Sequence, residues 1–344
     1  MQLYNKLSAL ERARIIDENS QERIILSFYK YFKLSNPSLF RDHLFVVWSD
    51  LDVLGRIYVA KEGINAQLSV PKENFEEFKI SVNEIPPLKD IRLNVALENF
   101  SKSFLKLTIK IRHKIVADGL DESTFDVTRI GEHLDAKKFN EMLNDKNTIC
   151  IDMRNHYESE IGFFKGAIKP DVDTFRESLK IIDKELDKNG KDINYLMYCT
   201  GGIRCEKASA YLKHKGIQNV FQLEGGIIEY TRQVKDQKLE NNFLGKNFVF
   251  DERLGERVSD EIVSNCHQCG ALCDTHINCA NDSCHLLFIQ CDDCKKQMNN
   301  CCSEECKEIN ALPFEEQKSL RKGKRNSNQI FKKGRSTKLK YKID

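Results

Sequence analysis

Two groups of residues in this sequence have the types and spacing to do chemistry, and a third has the charge to bind. The sharpest is Tyr198-Cys199-Thr200-Gly201-Gly202-Ile203-Arg204-Cys205. A short apolar strand, Asp192 to Tyr198, delivers Cys199 to a loop, and a helix follows from Ile203 to Lys215, closed by Gly216. Gly201 and Gly202 let backbone N–H groups turn inward as a nest for an anion, which a thiolate or a persulfide would be. Arg204 adds a fixed charge and the helix start a partial one, and both lower the pKa of Cys199. The bland alternative is a buried structural cysteine before a glycine turn. Cys205 follows in the first turn of the helix and either packs there or resolves a bond formed on Cys199. Cys150, inside the apolar run Thr148 to Asp152, is expected in the core.

The second group begins at Cys266, after which ten of the chain's thirteen cysteines fall within about forty residues. Cys266-x2-Cys269 and Cys291-x2-Cys294 have the spacing in which one turn aims two sulfurs at a tetrahedral ion. One or two structural zinc ions are expected. The pairing that suits the spacings puts Cys266, Cys269, Cys291 and Cys294 on one ion and Cys279, Cys284, Cys302 and Cys306 on another. Cys273, Cys301, His267, His276 and His285 are possible substitutes. An iron–sulfur cluster competes, since four thiolates suit it too, and disulfides are disfavoured if the compartment is reducing.

Charge is the third signal. From Gln317 onward there are eleven Lys or Arg residues and one acidic residue, Asp344, although the whole chain of 344 residues carries a formal charge of only +2. A tail so poor in apolar residues is expected to be disordered in isolation. Arg321, Lys322, Lys324 and Arg325 are candidate phosphate contacts for a nucleic acid, against the alternative of a merely solvated tail.

These groups need elements to position them, and 344 residues imply two or three domains. Strands at Arg23–Tyr31, Gly55–Ala60, Ile64–Val70 and Ile91–Phe100, with helices at Pro37–Trp48 and Lys72–Glu84, give the order βαββαβ. That order predicts a ferredoxin-like α+β sandwich over residues 22–115, after an extension of 1–21. Lys61-Glu62-Gly63-Ile64-Asn65 joins the two middle strands, either as plain hairpin chemistry or as a substrate-contacting loop in which Lys61 offers a charge to phosphate. An α/β unit over 125–240 carries the Cys199 loop, the cysteine-rich region spans 241–312, and the basic tail 313–344. No apolar run reaches the ~18 residues of a membrane span. Many cysteines with no export signal predict a reducing, cytoplasmic setting.

The strand ending in Asp152-Met153-Arg154, the words Tyr157-Glu158 and Gly162-Phe163-Phe164, the Cys199–Arg204 loop and the later strand ending in Glu224-Gly225-Gly226 together resemble a rhodanese domain. The resemblance implies that Cys199 is the nucleophile, and that Asp152 and Arg154 brace the loop. Phe163 is a departure, standing where many rhodanese domains carry a histidine. The order of units, with Lys61-Glu62-Gly63-Ile64-Asn65, the Cys199 loop, Phe248-Val249-Phe250-Asp251-Glu252-Arg253 and Cys266-His267-Gln268-Cys269-Gly270, resembles the bacterial tRNA uridine hydroxylase family. That resemblance implies oxygen-dependent hydroxylation of the wobble uridine to 5-hydroxyuridine at Cys199, with molecular oxygen as co-substrate and the anticodon region of tRNA as partner. No dinucleotide fingerprint or His/His/carboxylate triad in the sequence accounts for the oxygen step. A sulfurtransferase passing a persulfide and a non-catalytic RNA-binding adaptor are the competing readings. Turnover of thiosulfate with cyanide would mark the first, and tRNA binding indifferent to Cys199→Ser the second.

Overall fold

The apolar residues of the N-terminal unit alternate along its strands, and alternation with a period of two puts one face of a sheet on a core. The computed structural model describes residues 22–97, 103–120, 126–322, 335–337 and 339, and in it that face is Leu26, Phe28, Ile57, Val59, Ile64, Ala66, Leu68, Val70, Leu107 and Ile109. The strands are β1 (Arg23–Tyr31), β2 (Leu54–Ala60), β3 (Gly63–Pro71), β4 (Asn94–Val95) and β5 (Leu107–Ile111), in the order β4-β1-β3-β2-β5. The first four pair antiparallel, and β5 adds to β2 in parallel. Helices α1 (Pro37–Asp50) and α2 (Phe75–Glu84) cover the apolar face, with fully buried Trp48 edge-on to Phe28 and tilted against Phe78. The ferredoxin-like core is as the sequence order implies. β5 was not expected, and the expected strand Ile91–Phe100 shrinks to Asn94–Val95, with 98–100 outside the described residues. The first turn expected of the second helix, Lys72–Asn74, is a separate 3-10 turn.

The α/β unit is a parallel sheet in the order β6-β10-β9-β7, from Glu132–Leu134, Thr148–Asp152 (β7), Asn194–Tyr198 (β9) and Val220–Leu223 (β10). Side chains of β9 alternate between two cores, Tyr195 and Met197 on one face, Leu196 and Tyr198 on the other. Helices α3 (Ala136–Leu143), α4 (His156–Ser159), α5 (Phe175–Asn189), α6 (Ile203–His214) and α7 (Gly226–Gln237) accompany the sheet. A small second sheet is built from β8 (Gly162–Phe164), β11 (Phe243–Asn247) and β12 (Glu256–Arg257), and leads into the cysteine-rich region. There β13 (His276–Asn278) pairs with β14 (Leu287–Ile289), followed by α8 (Asp292–Met298) and α9 (Glu304–Ala311).

Of the tail, residues 313–322, 335–337 and 339 are described. Phe314–Arg321 is a helix, α10, beginning after Pro313 with Glu315 and Glu316 in its first turn, where the helix dipole favours acids. Further on, Arg335 reaches Asp171 and Asp173, and Leu339 is buried among the cysteines of the second group. The extension 1–21 lies outside the described residues.

Candidate active site

In an open α/β sheet the crevice lies at the carboxyl ends of the strands, and β9 ends there with Tyr198. Cys199 follows, fully buried, and the backbone N–H of Gly202 donates to its Sγ at 3.1 Å. The carbonyls of Cys199 and Thr200 accept from Ile227 N and Ile228 N at the start of α7, at 3.0 and 3.3 Å. A side chain at Gly226 would strike those same carbonyls at 2.5–2.6 Å, which explains the Glu224-Gly225-Gly226 word. Gly202 sits at φ +102°, and a Cβ there would stand 2.6 Å from the Tyr29 hydroxyl.

Burial alone would push the Cys199 thiol up, but donors and charge outweigh it. The Cys205 side chain hydrogen-bonds to it, Arg204 supplies positive charge, and the backbone N–H groups of Cys205 and Arg204 also donate, holding the thiol at about 6. Cys205 itself is pushed well up, by burial first and then by the Cys199 sulfur, so it stays protonated and serves as donor. Arg204 is fixed by a bidentate pair with buried Glu158, at 2.6 and 2.8 Å, and Thr200 Oγ1 lies 3.5 Å from both partners. Glu158 is held in turn by a capping box at Asn155. In the sequence Glu158 shows only as the last residue of Asn155-x-x-Glu158, a helix-start signature that says nothing of Arg204.

Asp152 and Arg154 do not touch the sulfur. Arg154 clasps Asp152 through Nε and Nη2, and Asp152 accepts from the Tyr198 hydroxyl at 2.8 Å, so the pair fixes the residue that precedes Cys199. Ile203 lines the cavity above the loop, and its carbonyl accepts from the Tyr31 hydroxyl at 3.3 Å. Phe163 lies under Lys169, 3.6 Å from ring centre to nitrogen.

The roof of the site comes from the other domain. A cavity of about 430 Å³ opens onto Cys199, Thr200, Gly201 and Arg204, and across it stand Ser27, Tyr29, Arg56, Tyr58, Asn65 and Gln67, from the open face of the N-terminal sheet. The size falls within the ~300–1,000 Å³ usual for small-molecule sites. Phe250 closes one wall, its ring 5.9 Å from the Arg204 guanidinium carbon, which gives the Phe248–Arg253 word its place.

One buried ion network holds roof to floor. Lys207 on α6, 1% exposed, donates to both oxygens of Glu62 at 2.9 Å, to Asp118 at 2.6 Å and to the Val116 carbonyl at 3.0 Å. Glu62 also accepts from Ile115 N, and a Cβ at Gly63, at φ +139°, would collide with the Lys30 carbonyl. The Lys61–Asn65 word is therefore a domain clamp as well as a hairpin, and Lys61 itself is exposed.

In the cysteine-rich region the sulfurs gather in two sets, Cys266, Cys269, Cys291, Cys294 and Cys279, Cys284, Cys302, Cys306, each within 4.8 Å of one another. Pairs within them stand 3.6–3.7 Å apart. All thirteen cysteines are free thiols. Cys273, Cys301 and the three histidines lie outside both sets; His267 is engaged by Glu160 at 2.6 Å and His276 packs edge-on to Phe248. Arg321 pairs with Asp282 at 2.6 Å, Lys322 is exposed, and Lys324 and Arg325 are outside the described residues.

Comparison with known proteins covers every part of this architecture. A protein of Photorhabdus laumondii called tRNA uridine(34) hydroxylase is 52% identical over 335 residues, 97% of this chain and 95% of that one. The chain belongs to the tRNA uridine(34) hydroxylase family. Relatives of the same name from Leptospira interrogans, at 53% identity over 94% of this chain and 88% of that one, and from Pectobacterium carotovorum, at 51% over 97% and 94%, agree. Family models match in chain order: a UPF0176 acylphosphatase like domain over residues 23–115, a rhodanese-like domain over 135–233 and a rhodanase C-terminal domain over 244–307. Among solved structures, a rhodanese-like domain protein from Staphylococcus aureus is 24% identical with a TM-score of 0.24, covering 29% of this chain and 90% of that one. Among the described residues no helix is long and apolar enough to cross a membrane.

Proposed function

We propose that this chain hydroxylates C5 of the wobble uridine of tRNA, using molecular oxygen, and that Cys199 is the group that engages the base. The observation that carries the proposal is a sulfur held at about 6 on the floor of a base-sized cavity whose roof is a polar and aromatic sheet face. A uracil is electron-poor at C6. A thiolate adding there makes C5 nucleophilic, so that oxygen can be attached at C5; loss of the C5 proton and of the thiolate then restores the double bond. Replacing C5–H by C5–OH uses one atom of dioxygen. The other leaves as water, which consumes two protons and two electrons from a reductant of the thiol class. The protein's part is to keep Cys199 ionised through Cys205, Arg204 and the loop N–H groups, and to bring in a base extruded from its stack.

The two sulfur sets fit a single tetrahedral ion each, because a metal–sulfur distance of ~2.3 Å implies sulfurs about 3.7–3.8 Å apart. A multi-iron cluster would spread them further. We assign zinc, in a structural role: four protein ligands leave no open position, and Leu339, Phe288 and Leu286 pack around the second set. The setting in which tRNA is met is the cytoplasm.

The experiment is nucleoside mass spectrometry of tRNA from cells lacking this gene, complemented with wild type or Cys199→Ser. 5-Hydroxyuridine and its derivatives return with wild type alone if the proposal holds. Loss of a thiolated nucleoside in their place would make the chain a sulfurtransferase.

A further inference from the structure

The cavity above Cys199 does not end at its own walls. Arg56 and Phe250 line it and also line a second, larger groove of about 610 Å³, which runs under β5 between the N-terminal sheet and the cysteine-rich region. Strand register shows what paves the way from one to the other. Ser27, Gln67, Arg56 and Thr108 stand opposite one another across β1, β3, β2 and β5, and Tyr29, Asn65, Tyr58 and Lys110 form the neighbouring row. Both rows belong to the open face, since the residues between them fill the core. Each begins over Gly201 and Gly202 and ends at the exposed edge of β5.

The chemistry changes along the rows in a consistent direction. Hydroxyls lie nearest the sulfur, side-chain amides next, then Arg56 and the Tyr58 ring, and finally Thr108 and Lys110 on β5, with Lys106 at the near end of that strand. Arg112 covers the Tyr58 ring at 5.2 Å, and the same ring lines the cavity. Arg56, Lys106 and Lys110 are exposed and have no carboxylate partner among the described residues. Of the two acids in the groove, Asp251 is paired with Arg253 at 2.7 Å and Glu252 is exposed.

We propose that these two rows are the track for the single-stranded RNA flanking the reacting uridine, with one flanking base stacked on Tyr58 and the adjoining phosphates on Arg56 and Lys110. The inference rests on the reading of Cys199 given above. A single strand is bound by a basic groove combined with aromatic platforms, and RNA bases are read when splayed over a sheet face of this kind. Strands ~4.8 Å apart make the path from β1 to β5 about 14 Å long. At ~3.4 Å per stacked nucleotide, and more for a splayed one, that holds about two to four nucleotides.

The test is anisotropy titration of a labelled anticodon stem-loop RNA into the full chain carrying Cys199→Ser, over a range of salt. Arg56→Gln with Lys110→Gln should weaken binding at least about tenfold at low salt, and should flatten the slope of log Kd on log salt by about 1.4, the share of two single-strand phosphate contacts. Tyr58→Ala should weaken binding about 5- to 160-fold with an unchanged slope, the effect of one stacked base. In the chain that retains Cys199, both sets of changes should fall on kcat/KM for tRNA. Unchanged affinity and slope in both variants would overturn the track, as would a loss of slope seen only with Lys318→Gln and Lys322→Gln. If the track variants lose binding while Cys199→Ser proves as active as wild type, the track stands and the reading of Cys199 falls.

Discussion

Cys205 offers the cleanest way to challenge the electrostatics of the site, because replacing it strands no buried charge. Its side chain is the leading contribution opposing burial at Cys199. A hydrogen bond to a charged acceptor contributes about 1.5–3 kcal/mol, which at 1.36 kcal/mol per decade of proton affinity is about one to two pH units. Cys205→Ala should therefore move the Cys199 midpoint from about 6 to about 7–8. At pH 7 the thiolate fraction would fall from roughly 90% to between roughly 10% and 50%, and the alkylation rate would fall about two- to tenfold. Cys205→Ser retains a donor and should stay near the wild-type midpoint. The assay is the rate of iodoacetamide labelling of the Cys199 peptide against pH, read by mass spectrometry. Coincident midpoints for wild type and Cys205→Ala would refute the reasoning. The same ionisation has a stability signature. Cys199 sits below its ordinary value in the fold, so the folded state binds fewer protons than the unfolded one between about pH 6 and 9. Stability should rise across that window by at most about 4 kcal/mol and be lost as pH falls through 6; Cys199→Ser should lack this rise.

Two other outcomes are expected. Lys207→Met leaves Glu62 without its cation and Asp118 with Lys114 alone, and should cost about 3–5 kcal/mol in denaturant unfolding; adding Glu62→Gln should recover part of it, and no recovery would contradict the clamp. Zinc analysis of the purified chain should find two ions, falling to one with Cys269→Ala or with Cys284→Ala, and chelation should lower the melting temperature. A single ion in the wild type would contradict the paired assignment.

Much of this site is visible in the sequence because local rules dominate there. The strand, glycine turn and helix around Cys199 are specified within about twenty residues, and the N-terminal unit follows from alternation along β1, β2 and β3. The x2 spacing of Cys266/Cys269 and Cys291/Cys294 leaves few ways for a turn to aim two sulfurs, whereas Cys279/Cys284 and Cys302/Cys306 carry no such spacing. What the sequence conceals is long-range. Glu158 meets Arg204 from 46 positions away, and Lys207 meets Glu62 from 145. Neither spacing carries a periodic signal. β5 was missed because Leu107–Ile111 is short and joins the sheet in parallel at an edge, with no hairpin to announce it. Composition weighs the charge of the tail and gives no sign of α10, which starts after Pro313 with two acids in its first turn, or of Leu339 among the second group's cysteines. Lys61 is the exposed cation of its word, and its neighbour Glu62 is the one that reaches across the domains to Lys207.

The most direct test of the account is to incubate purified chain, with zinc bound and a thiol reductant present, with unmodified tRNA under ¹⁸O-labelled dioxygen, and to weigh the wobble nucleoside. Wild type should yield 5-hydroxyuridine carrying the heavy oxygen atom, and Cys199→Ser, folded to the same melting profile, should yield none. Labelled product from Cys199→Ser at the wild-type rate would contradict the claim that this sulfur engages the base.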